Sequence, residues 1–172
     1  MPIIPDTKNW TWVLERECPE CGFDGSGIPL AEIPDLLRAN VRAWPAVLRR
    51  DDVRVRPDDS TWSPLEYSAH VRDVFRVFRT RLDLMLAEDD PEFDNWDQDA
   101  TAVAERYSEQ DPAVVESDLV AAGLALADAF ERVPAEAASR TGRRSDGSRF
   151  TVESLGRYLL HDPVHHLWDV TH

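Results

Sequence analysis

The stretch Trp62-Ser63-Pro64-Leu65-Glu66 contains the clearest helix start in the chain. Ser63 can cap the helix, and Pro64 takes the first helical position, where its missing N–H costs little. Glu66 can complete a capping box by reaching back to the N–H of the cap residue. The apolar periodicity that follows predicts a helix to about residue 88, with His70 on its inward stripe.

Three more segments have helical periodicity. Apolar residues recur at spacings of three and four between residues 28 and 50, where Pro45 is expected to kink or end the helix. Asp111-Pro112 starts another helix, and Thr151 caps a last one that carries a histidine cluster. Segments 88–99 and 140–149 are interpreted as a loop and as a turn or short hairpin. With no convincing strand set, the sequence predicts an all-α fold, a four-helix bundle over residues 28–172.

Residues 1–27 are interpreted as an irregular arm that packs on the bundle, because proline and glycine argue against a long helix there. The arm contains Cys18-Pro19-Glu20-Cys21. A structural zinc site needs four ligands, so this motif would need two more, for example from a dimer partner. A redox pair is a second interpretation, although the βαβ context of such motifs is absent. Two reduced structural cysteines are the third.

The composition narrows the classes of partner. The 172-residue chain, long enough for one core, has a formal net charge of −14 and a pI of about 4.6. A surface of this sign repels phosphate groups, so nucleic acid and anionic membranes are not expected partners. The apolar runs fall far short of the ~20 residues of a membrane helix. Because residues 1–8 also lack a signal-peptide pattern, we expect a cytoplasmic protein that acts on a small molecule.

The stretch His161-Asp162-Pro163-Val164-His165-His166 holds three of the chain's five histidines. On a helix, His161 and His165 lie one turn apart on one face, whereas His166 shares a face with Asp162. A third ligand must come from another element, and His70 is the only other histidine on a predicted buried face. The sequence therefore predicts one metal site made of His70, His161 and His165. Hydrogen-bonded core histidines are the alternative.

Two features qualify this site. Pro163 lies between the paired histidines, and a kink there could change the helical phase so that His166 replaces His165 as ligand. A ligating histidine usually donates its other N–H to a carboxylate or carbonyl. The candidates for that role are Glu66, Asp73, Asp162 and Asp169.

Trp62-Ser63-Pro64 with His70, and His161-x-x-x-His165 on the last helix, resemble the DinB/YfiT-like family of metal-dependent enzymes. This family is related to the N-terminal domain of mycothiol-dependent maleylpyruvate isomerase. The resemblance covers the chain from about Ile28 onwards and leaves out the arm. It implies an up-down-down-up four-helix bundle, a homodimer, and a divalent metal, zinc or nickel, held by the three histidines and open to solvent.

The function favoured by these expectations is transfer of a low-molecular-weight thiol, such as mycothiol, to an electrophile. A thiol that coordinates a metal loses its proton, and the thiolate is the nucleophile. Hydrolysis by metal-bound water would use the same site. The third alternative is a non-catalytic bundle that binds a small molecule or partner, with the metal in a structural role. A fourth protein ligand would favour that last function.

Overall fold

The computed structural model describes residues 3, 5 and 9–172. Its α-helices are α1 (Ile33–Val41), α2 (Trp44–Leu48), α3 (Pro64–Ala87), α4 (Gln98–Ala104), α5 (Pro112–Glu131) and α6 (Val152–Asp169). Short 3-10 helices span Trp10–Leu14, Leu30–Glu32, Tyr107–Glu109 and Ala135–Ala137. The strands are β1 (Glu92–Phe93), β2 (Thr141–Arg144) and β3 (Arg149–Thr151).

Helix α3 begins as its sequence predicts. The Ser63 hydroxyl accepts from the Glu66 N–H at 3.3 Å, and the Glu66 carboxylate accepts from the Ser63 N–H at 2.9 Å. Helix α6 has the same kind of start, because the Thr151 hydroxyl accepts from the Ser154 N–H at 3.0 Å. Local sequence therefore fixes where the two helices that carry the histidines begin.

The bundle consists of α1 with α2, α3, α5 and α6. Helix α5 packs against α1 and α3, and α6 packs against the same two helices from another side. The first helical segment breaks between Val41 and Trp44, and Pro45 lies in the first turn of α2. The expected interruption near Pro45 is thus observed, as two helices instead of one kinked helix.

The all-α prediction is only approximate. Strands β1, β2 and β3 form a small sheet in that order, with β1 parallel to β2 and β2 antiparallel to β3. The predicted hairpin in segment 140–149 is part of this sheet. Segment 88–99, predicted as a loop, contributes β1 and the start of α4.

The described part of the arm lies against α6 through the 3-10 helix Trp10–Leu14. Val13 and Cys18 are buried. The division into arm and bundle at residues 27 and 28 stays a prediction, as do the homodimer and the cytoplasmic location. Among the described residues, none of the helices combines the length and apolar character that crossing a bilayer requires.

Candidate metal centre

Metal-ligating side chains gather in two groups in the described part of the chain. The first, which we call the cavity cluster, comprises His70, Asp162 and His166. The second, the arm cluster, comprises Cys18, Cys21, His161 and His165. Within each group the donor atoms lie within 4.8 Å of one another. The structure thus places His70 in one group and the pair His161 and His165 in the other.

The helical phase of α6 explains why its ligating side chains fall into two groups. Asp162 and His166 form an i, i+4 pair, and His161 and His165 form a second such pair one residue earlier. Neighbouring residues on a helix point about 100° apart, so the two pairs face different directions. Helix α6 is continuous through Pro163. The phase deduced from the sequence is therefore right, but the face that meets His70 is the one with Asp162 and His166.

The cavity cluster centres on one carboxylate oxygen. Asp162 Oδ1 lies 3.2 Å from His70 Nε2 and 3.6 Å from His166 Nε2. The other ring nitrogen of His166, Nδ1, lies 2.8 Å from Asp169 Oδ2. If His166 Nδ1 carries the proton and donates it to Asp169, Nε2 is left with a lone pair that points towards Asp162.

Asp162 carries a negative charge in this setting. Burial alone would raise the pKa of Asp162, but the adjacent His70 and His166 rings outweigh burial, so the pKa lies below its ordinary value. An ionised carboxylate between two imidazoles is a donor set that suits a divalent cation. In the described part of the chain no fourth protein donor joins this cluster.

His70 is held in place by aromatic rings. It is fully buried, stacks on Trp96 at 5.4 Å between ring centroids with an interplanar angle of 1°, and contacts Trp62 at 5.4 Å. Its Nδ1 atom is buried, and no described residue offers it a hydrogen bond. The ring is thus fixed by packing, with Nε2 directed at Asp162.

Asp162 and His166 line a cavity of about 730 Å³, and Tyr158, Arg81 and Arg144 lie elsewhere on its wall. On α3, Arg81 lies roughly 16 Å along the helix axis from His70, given 1.5 Å per residue. Burial, followed by the charge of Arg144, lowers the pKa of Arg81 to about 10, so its guanidinium remains charged at neutral pH. The cavity therefore has a cationic end away from the cavity cluster, in a protein that is acidic as a whole.

The arm cluster lies where the arm covers α6. Cys18 Sγ is 3.6 Å from His165 Nδ1. His161 is 5% exposed and His165 8% exposed. Burial, followed by the charge of His165, lowers the pKa of His161 to about 4. Burial also raises the pKa of the Cys21 thiol to about 11. Without a metal, His161 is therefore neutral and Cys21 protonated at pH 7.

Of the four carboxylates predicted to support the metal ligands, two contact histidines and two do not. Asp162 and Asp169 contact the histidines of α6, Asp162 in a more central position than predicted. Glu66 instead caps α3 and pairs with Arg56. Asp73, which faces away from the histidines, binds Arg72 and Tyr107.

The sequence contained two signals for this arrangement that were not used. Asp162-x-x-x-His166 has the same spacing as the histidine pair, and a carboxylate can replace an imidazole as a ligand. The Cys18 and Cys21 motif needed two further ligands for a four-coordinate zinc site, and His161 and His165 are residues that can supply them. What periodicity could not provide was the position of the irregular arm.

A family model for the DinB superfamily matches residues 35–170. Among solved structures, YfiT from Bacillus subtilis is similar, with a TM-score of 0.68 and 17% sequence identity over 91% of this chain and 89% of that one. YfiT is described as a probable metal-dependent hydrolase with an unusual four-helix bundle topology. No protein with a curated description matches the chain. Because the family model covers most of its length, the chain belongs to the DinB superfamily.

Proposed function

We propose that this chain is a metal-dependent enzyme in which His70, Asp162 and His166 hold a divalent ion, zinc or nickel. We propose further that it transfers a low-molecular-weight thiol to a small anionic electrophile. The observation that carries the proposal is the convergence of three donors, two of which, Asp162 and His166, lie on the wall of a cavity of about 730 Å³. A site with three protein ligands leaves a coordination position for a substrate, as catalytic sites do and closed structural sites do not.

The donors fit such an ion. The 3.2 Å and 3.6 Å separations from Asp162 Oδ1 to the two imidazoles bracket the ~3.3 Å between neighbouring ligands of a tetrahedral ion with metal–ligand bonds near 2.0–2.1 Å. Asp169 orients His166, which is the usual role of a carboxylate behind a ligating imidazole. When bound, the ion would lower the pKa of a coordinated thiol or water and act as a Lewis acid.

The carboxylates around the cavity favour a thiol over water as nucleophile. Activation of water draws on a general base, whereas a thiol of pKa ~8.5 loses its proton far more readily. Each carboxylate on the described cavity wall already has a partner. These are Glu20 with His165, Asp97 with the Ala100 N–H, Asp146 with Arg144, Asp162 and Asp169 with histidines, and Asp99 with another group. A free base is therefore lacking among them.

The arginines at the far end of the cavity support an anionic substrate. The Arg81 guanidinium donates to the Asp94 carbonyl at 3.0 Å and lies over the rings of Phe78 and Phe93. Burying a charge without a counterion is costly, and a substrate carboxylate near Arg81 would reduce that cost. In the transfer, a bond from sulfur to carbon forms as the bond to the leaving group breaks, and the thiol proton goes to the leaving group or to solvent.

The test uses the metal-loaded chain with a panel of thiols and carboxylate-bearing electrophiles. We expect thiol-dependent turnover that falls at least about 100-fold in His166→Ala, because removal of a ligand costs at least as much as loss of an orienting partner. His172→Ala, at an exposed position just beyond the C-terminal end of α6, is the matched control and should retain full activity. Thiol-dependent turnover that survives in His166→Ala would contradict the proposal.

Hydrolysis is the second candidate, because YfiT, whose fold this chain shares, is described as a probable metal-dependent hydrolase. It is tested with ester and amide substrates in the absence of thiol. Turnover that needs His166 but no thiol would replace the transferase by the hydrolase. Absence of turnover in both panels, with the metal bound, would contradict both enzymatic functions.

A further inference from the structure

We propose that Cys18, Cys21, His161 and His165 form a second, structural zinc site that fixes the arm to α6. The site lies within one chain. It does not depend on the proposed enzymatic function, because it shares none of its four ligands with the cavity cluster. Two thiolates and two neutral imidazoles are one of the common ligand sets of structural zinc, and the two thiolates balance the charge of the ion.

The donor geometry is close to what zinc requires. In a tetrahedron with Zn–S of about 2.3 Å and Zn–N of about 2.0–2.1 Å, sulfur and nitrogen lie about 3.6 Å apart. Cys18 Sγ and His165 Nδ1 are separated by 3.6 Å. All four residues offer a donor atom within 4.8 Å of the others. Contraction by about 1 Å would therefore complete the coordination sphere.

Cys18 and Cys21 lie on a tight turn that brings their two side chains close together. Gly22 follows Cys21 in the left-handed region, with φ of +73°, where a side chain would be strained. The Gly22 N–H donates to the Cys18 carbonyl at 2.9 Å, and the Cys18 N–H donates to the Phe23 carbonyl at 2.8 Å. These two backbone hydrogen bonds hold Cys18 and Cys21 on one tight turn.

The surroundings of the site match those of a buried metal ligand pair. Trp10 and Phe23 lie 5.3 Å and 5.9 Å from the His161 ring and shield it from water. His161 Nε2 is buried, and no described residue offers it a hydrogen bond. A buried nitrogen left unsatisfied would destabilise the fold. Coordination of a metal by the His161 ring would satisfy this buried nitrogen and so explain why the imidazole is buried.

His165 also has the outer contacts of a ligand. Its Nδ1 faces Cys18, while Nε2 lies 3.2 Å from Glu20 Oε2 and 3.7 Å from Asp169 Oδ1. If Nε2 carries the proton and donates it to these carboxylates, Nδ1 has a lone pair for zinc. Glu20 lies between the two cysteines in sequence, so the same turn supplies two ligands and one supporting carboxylate.

Zinc at the arm cluster is expected to restrict the movement of α6. His161 and His165 are the sequence neighbours of Asp162 and His166, so zinc at the arm cluster would fix the rotation of α6 about its axis. The cavity cluster depends on that rotation. The arm site would thus help to position the ligands of the cavity site.

Cobalt substitution of the full, reduced chain tests the proposal without any measurement of activity. We expect Co²⁺ to give intense visible bands of a tetrahedral ion and near-ultraviolet charge transfer from thiolate. The thiolate charge transfer should persist in His70→Ala, which affects only the cavity cluster, and should vanish in Cys18→Ser/Cys21→Ser, whatever visible bands the cavity cluster contributes. Wild-type protein without thiolate charge transfer, or a double variant that retains it, would overturn the proposal.

A second readout uses the wild-type chain and so does not depend on how well a variant folds. In the zinc-loaded protein both cysteines should resist a thiol reagent, and both should react after a chelator removes zinc. Free reaction of both thiols in the zinc-loaded protein would overturn the site. Formation of a Cys18–Cys21 disulfide in air at saturating zinc would also overturn it and would identify a redox pair instead.

Discussion

Asp169 contacts histidines of both clusters. One of its oxygens lies 2.8 Å from His166 Nδ1, and the other lies 3.7 Å from His165 Nε2. A carboxylate behind a ligating histidine sets the orientation of the ring and raises its basicity. The two sites, if both hold metal, therefore share one supporting group.

We predict that Asp169→Asn weakens metal binding at both clusters, by about 10–100-fold at the cavity cluster. Competition with a chromophoric chelator measures this affinity. Asp118→Asn, which alters a half-exposed carboxylate on α5 paired with Arg76, is the control and should leave both affinities unchanged. Equal affinities in Asp169→Asn and the native chain would show that Asp169 supports neither site.

Asp73 is the clearest acid-sensitive residue. Its carboxylate accepts from Arg72 at 2.8 Å and from the Tyr107 hydroxyl at 2.6 Å. Burial alone would raise the pKa of Asp73, but these donors outweigh burial and hold the pKa below its ordinary value. A carboxyl of this kind stabilises the folded state fully above its unfolded pKa of ~3.9, and the contribution is lost as the pH falls through the folded pKa.

Asp73→Asn should therefore lower the free energy of unfolding by about 1–3 kcal/mol at pH 7. The difference from the native chain should shrink as the pH falls below about 4, because the Asp73 carboxyl takes up a proton first in the unfolded chain and, at lower pH, in the folded chain. Urea denaturation at pH 7 and at low pH checks both statements. A difference that stayed constant with pH would contradict this account of Asp73.

The predicted ligand set of His70, His161 and His165 stays a prediction. The structure places the i, i+4 pair of Asp162 and His166 beside His70, and the sequence could indicate such pairs because helical phase is a local property. Which face of α6 meets His70 depends on where the arm lies. The arm has no periodic sequence pattern from which its position could be predicted.

Arg72 and Arg81 on α3 are buried although periodicity alone would favour a surface position for charged residues. Arg72 pairs with the neighbouring Asp73 on the same helix, and Arg81 donates to the Asp94 carbonyl after β1.

Helix α5 packs closely against its neighbours at Gly123. A methyl group at Gly123 would overlap the Val41 side chain and would come within 2.9 Å of Phe75 Cε2. These neighbours belong to α1 and α3. Glycine at this position thus lets α5 approach both helices.

We predict that Gly123→Ala destabilises the protein. Alanine favours a helix by up to about 1 kcal/mol over glycine, but overpacking between rigid helices costs about 1–3 kcal/mol. The second effect should win, because both α1 and α3 would have to move. Gly27→Ala is the control, since nothing lies within 4 Å of the added methyl. A higher melting temperature for Gly123→Ala would show that α5 has room to shift.

The elements themselves were largely predictable. Caps at Ser63 and Thr151 define the starts of α3 and α6, and capping is decided by a few adjacent residues. Of the small sheet, only a turn or short hairpin over residues 140–149 was expected, and β1 was not predicted. Its strands are short, and β1 pairs with β2 across a long stretch of chain, so alternation over so few residues carries little signal.

At the scale of the whole molecule, the distribution of charge affects how readily an anionic substrate enters the cavity. The net charge of −14 repels an anionic substrate at long range. Salt screens that repulsion over a Debye length of about 8–10 Å, but it screens buried arginines much less. Attraction inside the cavity and repulsion outside it should therefore respond differently to ionic strength.

If the substrate is an anion bound near Arg81 and Arg144, kcat/KM should rise with added salt over the range of about 0.01–0.15 M, as long-range repulsion is screened. The neutral amide of the same electrophile is the control and should show little dependence on salt. A fall in kcat/KM for the anion on addition of salt would contradict this account of the charge distribution.

The central claim is that the stretch from His161 to His166 carries two interleaved metal sites on two faces of one helix. Anomalous diffraction at the zinc absorption edge, from crystals of the zinc-loaded chain, tests it most directly. We predict two peaks, one among His70, Asp162 and His166 and one among Cys18, Cys21, His161 and His165. A single peak coordinated by His70, His161 and His165 would contradict the account.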